Sequence, residues 1–255
     1  MNTVRKILVP IDFSDSSITA VKYASEMTRQ DRKIEFFLIH VQDGNSKNGK
    51  KELDELKEKF FDSRKVPCQA IIKQGELVET LIATNEELSI DLIIFGTAGS
   101  VDETINSKTA QLLRKADCSV LIIPASTEGF SLNNIALAVD HKDLDDASKL
   151  SVFHDLAKWY NAKVHLVTVD RKDKDNIKLG KAEQTLEYYL ESLDYQHAVP
   201  KNKDIEKGIE QYIKEQNIDM LAIMPKNHAK STEPSDGRLT RLLAAHSSVP
   251  LLVID

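Results

Sequence analysis

Two short stretches hold the residues best suited to chemistry. Asp12 follows an apolar run in Pro10-Ile11-Asp12-Phe13-Ser14, and Gly96 and Gly99 follow another in Phe95-Gly96-Thr97-Ala98-Gly99-Ser100. A carboxylate accepts hydrogen bonds from an amine or a sugar hydroxyl, and glycines let backbone N–H groups approach a phosphate. These are the residue types a nucleotide site requires. Each piece also has a plainer reading. A carboxylate at a strand end caps the next helix more often than it binds a ligand, and here Ser14 and Asp15 compete for the cap. Glycines after strands are usually turns. The case for a site rests on both stretches falling at one place in the fold, which depends on the elements that carry them.

Short apolar runs alternate with segments of helical period. Ile7–Ile11 reads as a strand, and residues 15–30 as a helix with Ile18, Val21, Ala24 and Met27 along one face. Strands follow at Ile34–Val41, Val66–Ile72, Asp91–Gly96 and Val120–Ile123, with helices expected over 52–63, 77–88 and Thr104–Arg114 between them. Continuously apolar strands separated by helices imply a parallel sheet covered on both faces. In such a sheet, ligands bind beyond the carboxyl ends of the strands, where the strand order reverses. If the first strand is central, it shares that crevice with the fourth, and Asp12 and Gly96 meet there.

After Pro124 and the soft stretch Ala125-Ser126-Thr127-Glu128-Gly129 the pattern restarts. Ile135-Ala136-Leu137-Ala138-Val139-Asp140 repeats the first strand 128 positions later, and the same offset pairs Val41 with Val169 and Ile90-Asp91 with Ile218-Asp219. Beyond the fourth strand the offset becomes 131, pairing Thr109 with Thr240. The first copy is therefore three residues shorter in the loop after its fourth strand. An internal repeat of this kind predicts two domains, 1–127 and 133–255.

Bulk properties exclude several classes. A composition 41% apolar and 29% charged is that of a soluble globular protein, and no apolar run approaches the roughly 20 residues of a membrane span. The net charge of −6 argues against nucleic acid as the main partner. The first residues run straight into a strand with no secretory leader, and the two cysteines, Cys68 and Cys118, read as buried free thiols, so a cytoplasmic location is expected. The seven histidines show no metal-ligand spacing, and His40 and His165 read as core residues within strands. No P-loop and no Gly-x-Ser-x-Gly elbow is present, so no catalytic residue and no metal site are assigned.

Lys6-Ile7-Leu8-Val9-Pro10-Ile11-Asp12-Phe13-Ser14, the His40-Val41 strand ending, Asp91-Leu92-Ile93-Ile94-Phe95-Gly96-Thr97-x-Gly99 and Asp117-Cys118-Ser119-Val120-Leu121-Ile122-Ile123-Pro124 together resemble the universal stress proteins. The resemblance covers the first half and recurs more faintly in Ser248-Val249-Pro250-Leu251-Leu252-Val253-Ile254, so the chain is similar to the tandem members of that family. It implies, for each half, a five-stranded parallel sheet in the order 3-2-1-4-5. It also implies an intramolecular pseudo-dimer of the two domains through their fifth strands. The ATP-binding members carry Gly-x-x-Gly, nine residues, then Gly-(Ser/Thr). On that pattern Asp12 and Val41 flank an adenosine, and Gly96 and Gly99 lie along the phosphates. Asn106-Ser107 takes the closing position, anchored by Thr109-Ala110, so Ser107 and Thr109 keep hydroxyls near a helix start.

The chain departs from the pattern in both halves. Only six residues separate Gly99 from Asn106, and Asn replaces the closing Gly. In the second half the positions of Gly96 and Thr97 are Met224 and Pro225, and proline has no N–H to offer a phosphate. The polar loop 226–238 reads as solvated, with Lys226, His228, Lys230 and Arg238 as an alternative anion or partner site. Three functions stay open on this reading. The first is a non-enzymatic stress-response protein that binds ATP or another adenine nucleotide in domain 1 and acts on an unknown protein partner. The second is a scaffold that has lost binding in both halves, and the third is a slow ATPase.

Overall fold

A computed structural model describes residues 4–28, 33–42, 49–98, 107–138, 147–167, 186, 188–200, 202, 204–224 and 247–254. The described chain falls into two compact units, one running Val4–Phe130 and the other beginning at Ser131.

In the first unit the order is β1 (Lys6–Pro10), α1 (Asp15–Glu26), β2 (Glu35–Gln42), α2 (Gly49–Phe60), β3 (Cys68–Gln74), α3 (Leu77–Leu88), β4 (Leu92–Thr97), α4 (Lys108–Lys115) and β5 (Ser119–Pro124). All strand pairs are parallel and the sheet order is β3-β2-β1-β4-β5. Two connections therefore run one way from β1 and two the other. Right-handed crossovers then put α1 and α2 on one face and α3 and α4 on the opposite one, as the α1–α2 and α3–α4 contacts show. The strands are apolar because both faces are covered: Ile7, Leu8, Val9, Leu38, Ile39, Leu92, Ile93, Ile94 and Leu121 are fully buried.

The second unit repeats the plan with β6 (Asn134–Ala138), α5 (Ser151–Tyr160), β7 (Lys163–Val167), β8 (Tyr195–Ala198), α6 (Ile205–Glu215), β9 (Met220–Ile223) and β10 (Leu251–Val253). Its parallel order, β8-β7-β6-β9-β10, is again 3-2-1-4-5. Registers repeat as well. Leu8 faces Phe37 in the first unit, and Ala136 faces His165 in the second.

One side-chain device recurs unchanged. Asp91 Oδ2 accepts from the backbone N–H groups of Arg5 (2.8 Å) and Lys6 (2.9 Å), while its own N–H donates to Lys6 O (3.0 Å). Asp219 Oδ2 accepts likewise from Asn133 (2.7 Å) and Asn134 (2.8 Å), and its N–H donates to Asn134 O (2.7 Å). The repeated aspartate thus locks the start of each fourth strand to the start of the first.

Element bounds shift from the expected ones for local reasons. Helix α2 starts at Gly49 and ends at Phe60, followed by a separate 3₁₀ turn, Asp62–Arg64. That turn is closed by Lys65 at φ 57° and held by a Lys57–Asp62 ion pair of 2.6 Å. Strand β3 starts only at Cys68, because Pro67 has no N–H and serves as acceptor from Phe36 N (2.9 Å). Helix α4 begins at Lys108, where Ser107 caps it; residues 104–106, expected in its first turn, lie outside the described residues, as do Val169 and Thr240.

Neither cysteine is in a disulfide, and both are half-buried where full burial was expected. Burial pushes the Cys68 thiol up to about 12, so it stays protonated and unreactive at neutral pH. The stretch after Pro124, expected as a soft linker, is docked on α1. Lys22 Nζ donates to Glu128 O (3.0 Å), Phe130 N donates to Glu26 Oε2 (3.0 Å), and the Tyr23 and Phe130 rings meet edge to face at 5.0 Å. No helix among the described residues is long and apolar enough to cross a membrane.

Replacing either clamp aspartate strands one partly buried N–H group and one exposed one. Asp91→Ala and Asp219→Ala should each cost about 1–3 kcal/mol in urea denaturation. The loss should appear in Trp159 fluorescence for Asp219→Ala and not for Asp91→Ala, since the one tryptophan lies in the second unit.

Candidate functional site

The carboxyl end of β1 turns sharply into α1, and hydrogen bonds fix the turn. Ile11 N donates to Ile39 O (2.8 Å), carrying the pairing with β2 one residue past the strand. Asp12 follows, exposed, with Oδ1 accepting from Ser14 N (3.0 Å) and from the Ser14 hydroxyl, which makes an Asx turn. Ser14 in turn caps α1, its Oγ accepting from Ser17 N at 3.3 Å. Burial pushes the Asp12 carboxyl up, but the bonds from Ser14 and the Ser17 side chain outweigh it and hold the group below its ordinary value. Asp12 is thus ionised at neutral pH and held in a fixed orientation. Capping and exposure are divided between neighbours, so the competing roles read from the sequence coexist.

Phe13 supports this turn at φ 65°, a left-handed conformation that is uncommon for a bulky side chain. Its ring meets the His40 ring at 4.7 Å. Nδ1 of His40 lies 2.7 Å from Ile11 O, and a carbonyl can only accept, so Nδ1 carries the proton. His40, expected in the core, is half-buried and joins the end of β2 to the β1–α1 turn. The sequence signal was available: a polar ring one residue before Val41, at the carboxyl end of an otherwise apolar strand. Val41 itself is half-buried and pairs with Lys73 of β3.

Gly96 joins the cluster by close packing. A Cβ on Gly96 would lie 2.2 Å from Ser16 O and 2.5 Å from Ser16 C, so the first turn of α1 rests directly on the end of β4. Ser16 Oγ is 3.0 Å from Ser14 Oγ, which completes a chain of contacts from Asp12 through Ser14 and Ser16 to Gly96. The glycine is explained by this approach of helix to strand. Gly99, Asn106 and the loop between them lie outside the described residues, as do Asp140, Pro225 and the whole of 226–238.

Ser107 and Thr109 stand at the start of α4. Ser107 Oγ is the cap acceptor for Ala110 N (3.1 Å), which leaves its hydroxyl hydrogen to donate elsewhere. Lys108 Nζ holds both oxygens of Glu76 at 2.7 and 2.8 Å, and Lys115 pairs with Glu79, so α4 is tied to α3. No described contact joins Ser107 or Thr109 to Asp12. The described residues contain no group of three His, Cys, Asp or Glu side chains placed to hold a metal ion.

The second unit differs at the matching place. Leu92 and Met220 occupy equivalent registers opposite Ile7 and Ile135, so Met224 stands where Gly96 does. A methionine there, half-buried, is incompatible with a helix turn pressed against the strand backbone. The next helical turn described after β6 is a 3₁₀ segment at Ala147–Leu150, leading into α5.

An open parallel sheet with a fixed carboxylate and a close-packed glycine at its switch point makes the first unit a doubly wound α/β domain with its crevice over β1 and β4. Residues 3–124 match the model of the universal stress protein family, and this first domain belongs to that family. A crystal structure of a universal stress protein from Archaeoglobus fulgidus is similar over 98% of both chains, at 17% identity and a TM-score of 0.69. One of a putative universal stress protein from Pseudomonas aeruginosa covers 98% of this chain and 93% of its own, at 14% identity and a TM-score of 0.69. No curated protein matches the chain. At these identities the likeness is one of fold, and with the repeated sheet order and aspartate clamp it makes the chain a tandem of two domains of this fold.

Gly96→Ala tests the packing reading. The new methyl meets backbone, which cannot swing aside, so the substitution should cost about 3 kcal/mol or more. A thermal unfolding midpoint within a degree of the parent's would refute the close approach.

Proposed function

We propose that the first domain binds an adenine nucleotide as a regulatory ligand and that the chain acts in the cytoplasm as a non-enzymatic stress-response protein. Nucleotide occupancy would set its affinity for a protein partner. The observation that carries this reading is Asp12: an exposed, ionised carboxylate, fixed by Ser14 at the carboxyl end of the central strand and beside the His40-Val41 end of β2. Such a group accepts from ribose hydroxyls or an exocyclic amine, while Val41 offers an apolar side to the base. Gly99 and the loop after it, with Ser107 and Thr109 at the start of α4, would take the phosphates through N–H and hydroxyl donors. The loop is three residues short of the family pattern, which favours a small or weakly held nucleotide. No metal ion of the protein's own is part of the proposal.

The same reading pairs the two domains through β5 and β10. Each is the terminal strand of its own five-strand order, so its outer backbone edge has no partner within its own domain. A second reading, a scaffold without nucleotide, is favoured by one observation: Gly96 is accounted for by packing alone.

Release of adenine nucleotide on denaturing the purified chain, followed by calorimetric titration with ATP and AMP, separates the two. Asp12→Asn keeps an oxygen for the Ser14 bonds and removes only the charge. Stability should stay within about 0.5 kcal/mol, while affinity should fall at least tenfold, as loss of a charged hydrogen bond worth about 1.5–3 kcal/mol requires. Asp140→Ala should leave binding intact. Neither retained nucleotide nor heat at millimolar ligand would decide for the scaffold. Phosphate release lost in Asp12→Asn would decide for the ATPase.

A further inference from the structure

The second domain buries two histidines in surroundings suited only to the neutral ring. His165 on β7 is 3% exposed. Its Nδ1 lies 2.8 Å from the Tyr212 hydroxyl of α6 and 3.2 Å from Gln196 Nε2 of β8. An amide nitrogen only donates, so Nδ1 accepts and the ring proton resides on Nε2. That Nε2 is buried with no hydrogen-bond partner among the described residues. His154 on α5 is 4% exposed; Nε2 meets Ser192 Oγ at 3.0 Å, and Nδ1 is buried with no partner among the described residues.

The surrounding charges do not compensate a second ring proton. His165 has Lys163 on its own strand, Asp194 just before β8, Tyr212 from α6, and no ionisable group from β6. Tyr195 and His197 of β8 alternate with Gln196 onto the opposite face. His154 has Asp155 and Lys158 on its own helix and the Tyr189 ring at 6.0 Å. Among the described residues neither ring forms an ion pair with a carboxylate. Burial holds both rings below their ordinary value; Lys163 and Lys158 add to this, and Asp194 and Asp155 oppose it. Protonating His165 would also turn Nδ1–H toward the Gln196 amide, donor against donor. The register-equivalent residue of the first domain is Phe37, 2% exposed and without charge to gain.

We propose that the second domain is a built-in acid-sensitive element: protonation of His165 and His154 opens it, while the first domain, with Phe37 at the matching place, holds. This is independent of nucleotide binding. Because both folded rings titrate below the unfolded value of about 6.5, their stabilisation is complete above that pH and is lost as pH falls through it. Each histidine then raises the unfolding constant by up to about tenfold per pH unit.

Trp159, the only tryptophan, lies 4% exposed on α5, so its fluorescence in urea reads the second domain within the intact chain. From pH 7.5 to 5.5 the unfolding constant should rise by up to about 100-fold. His165→Phe should remove up to about tenfold of that rise, and adding His154→Gln should remove the rest. In the unmutated chain, the His165 and His154 ring resonances should titrate below the unfolded value of about 6.5. His165 and His154 resonances that titrate at or above that value, or a double variant with undiminished pH dependence, would overturn the proposal. If the variants fail to fold, the resonances decide.

Discussion

The structure hangs on the adjacency of the first and fourth strands. Every other pair in each sheet joins strands that follow one another along the chain, but β1 meets β4, and β6 meets β9, across more than 80 residues. Loop closure over that distance must be compensated locally, and each domain does so with one carboxylate. Asp91 and Asp219 gather two backbone N–H groups apiece at the amino ends, where the strand order reverses. With the amino ends fixed, the carboxyl ends lead into connections that leave on opposite faces, and a crevice between them is unavoidable. The Asp12 turn and the Gly96 contact stand there as a consequence of topology.

Much of this was legible from residues alone, because parallel sheets covered on both faces leave a strong imprint. Runs such as Ile7–Val9 and Leu92–Ile94 have no polar alternation, and the recurrence of Ile90-Asp91 as Ile218-Asp219 marked the second domain before any geometry was known. What escaped was set by side chains acting out of register with pattern. Periodicity places His40 among the strand residues and cannot show that its Nδ1 reaches Ile11 O. Spacing marks Gly96 as a candidate phosphate contact, whereas the missing side chain is demanded by Ser16. Strand β3 began where Pro67 dictated through a missing donor, which hydrophobic spacing does not register.

The two copies kept the clamp and diverged elsewhere, which separates what the fold needs from what a copy can change. Both retain the aspartate, the register and the sheet order. The first keeps a glycine under α1 where the second carries Met224, and the second has a histidine where the first packs Phe37. A buried polar ring destabilises relative to an apolar one unless its hydrogen bonds are complete, and one His165 nitrogen has no partner among the described residues. The first copy therefore spends its irregularities at the crevice and the second within its core.

Helix α1 has a further mechanical consequence. Its twelve residues span about 18 Å as one hydrogen-bonded rod. The leading turn carries Ser14 and Ser16 under Asp12 and Gly96, and the trailing turns carry Lys22, Tyr23 and Glu26, which grip Glu128 and Phe130. The chain thus exits the first domain along the back of the element that floors the crevice. A tilt of that rod at its leading end necessarily displaces the anchorage of the connecting segment at the other, making α1 a lever with the crevice on one arm and the tether on the other.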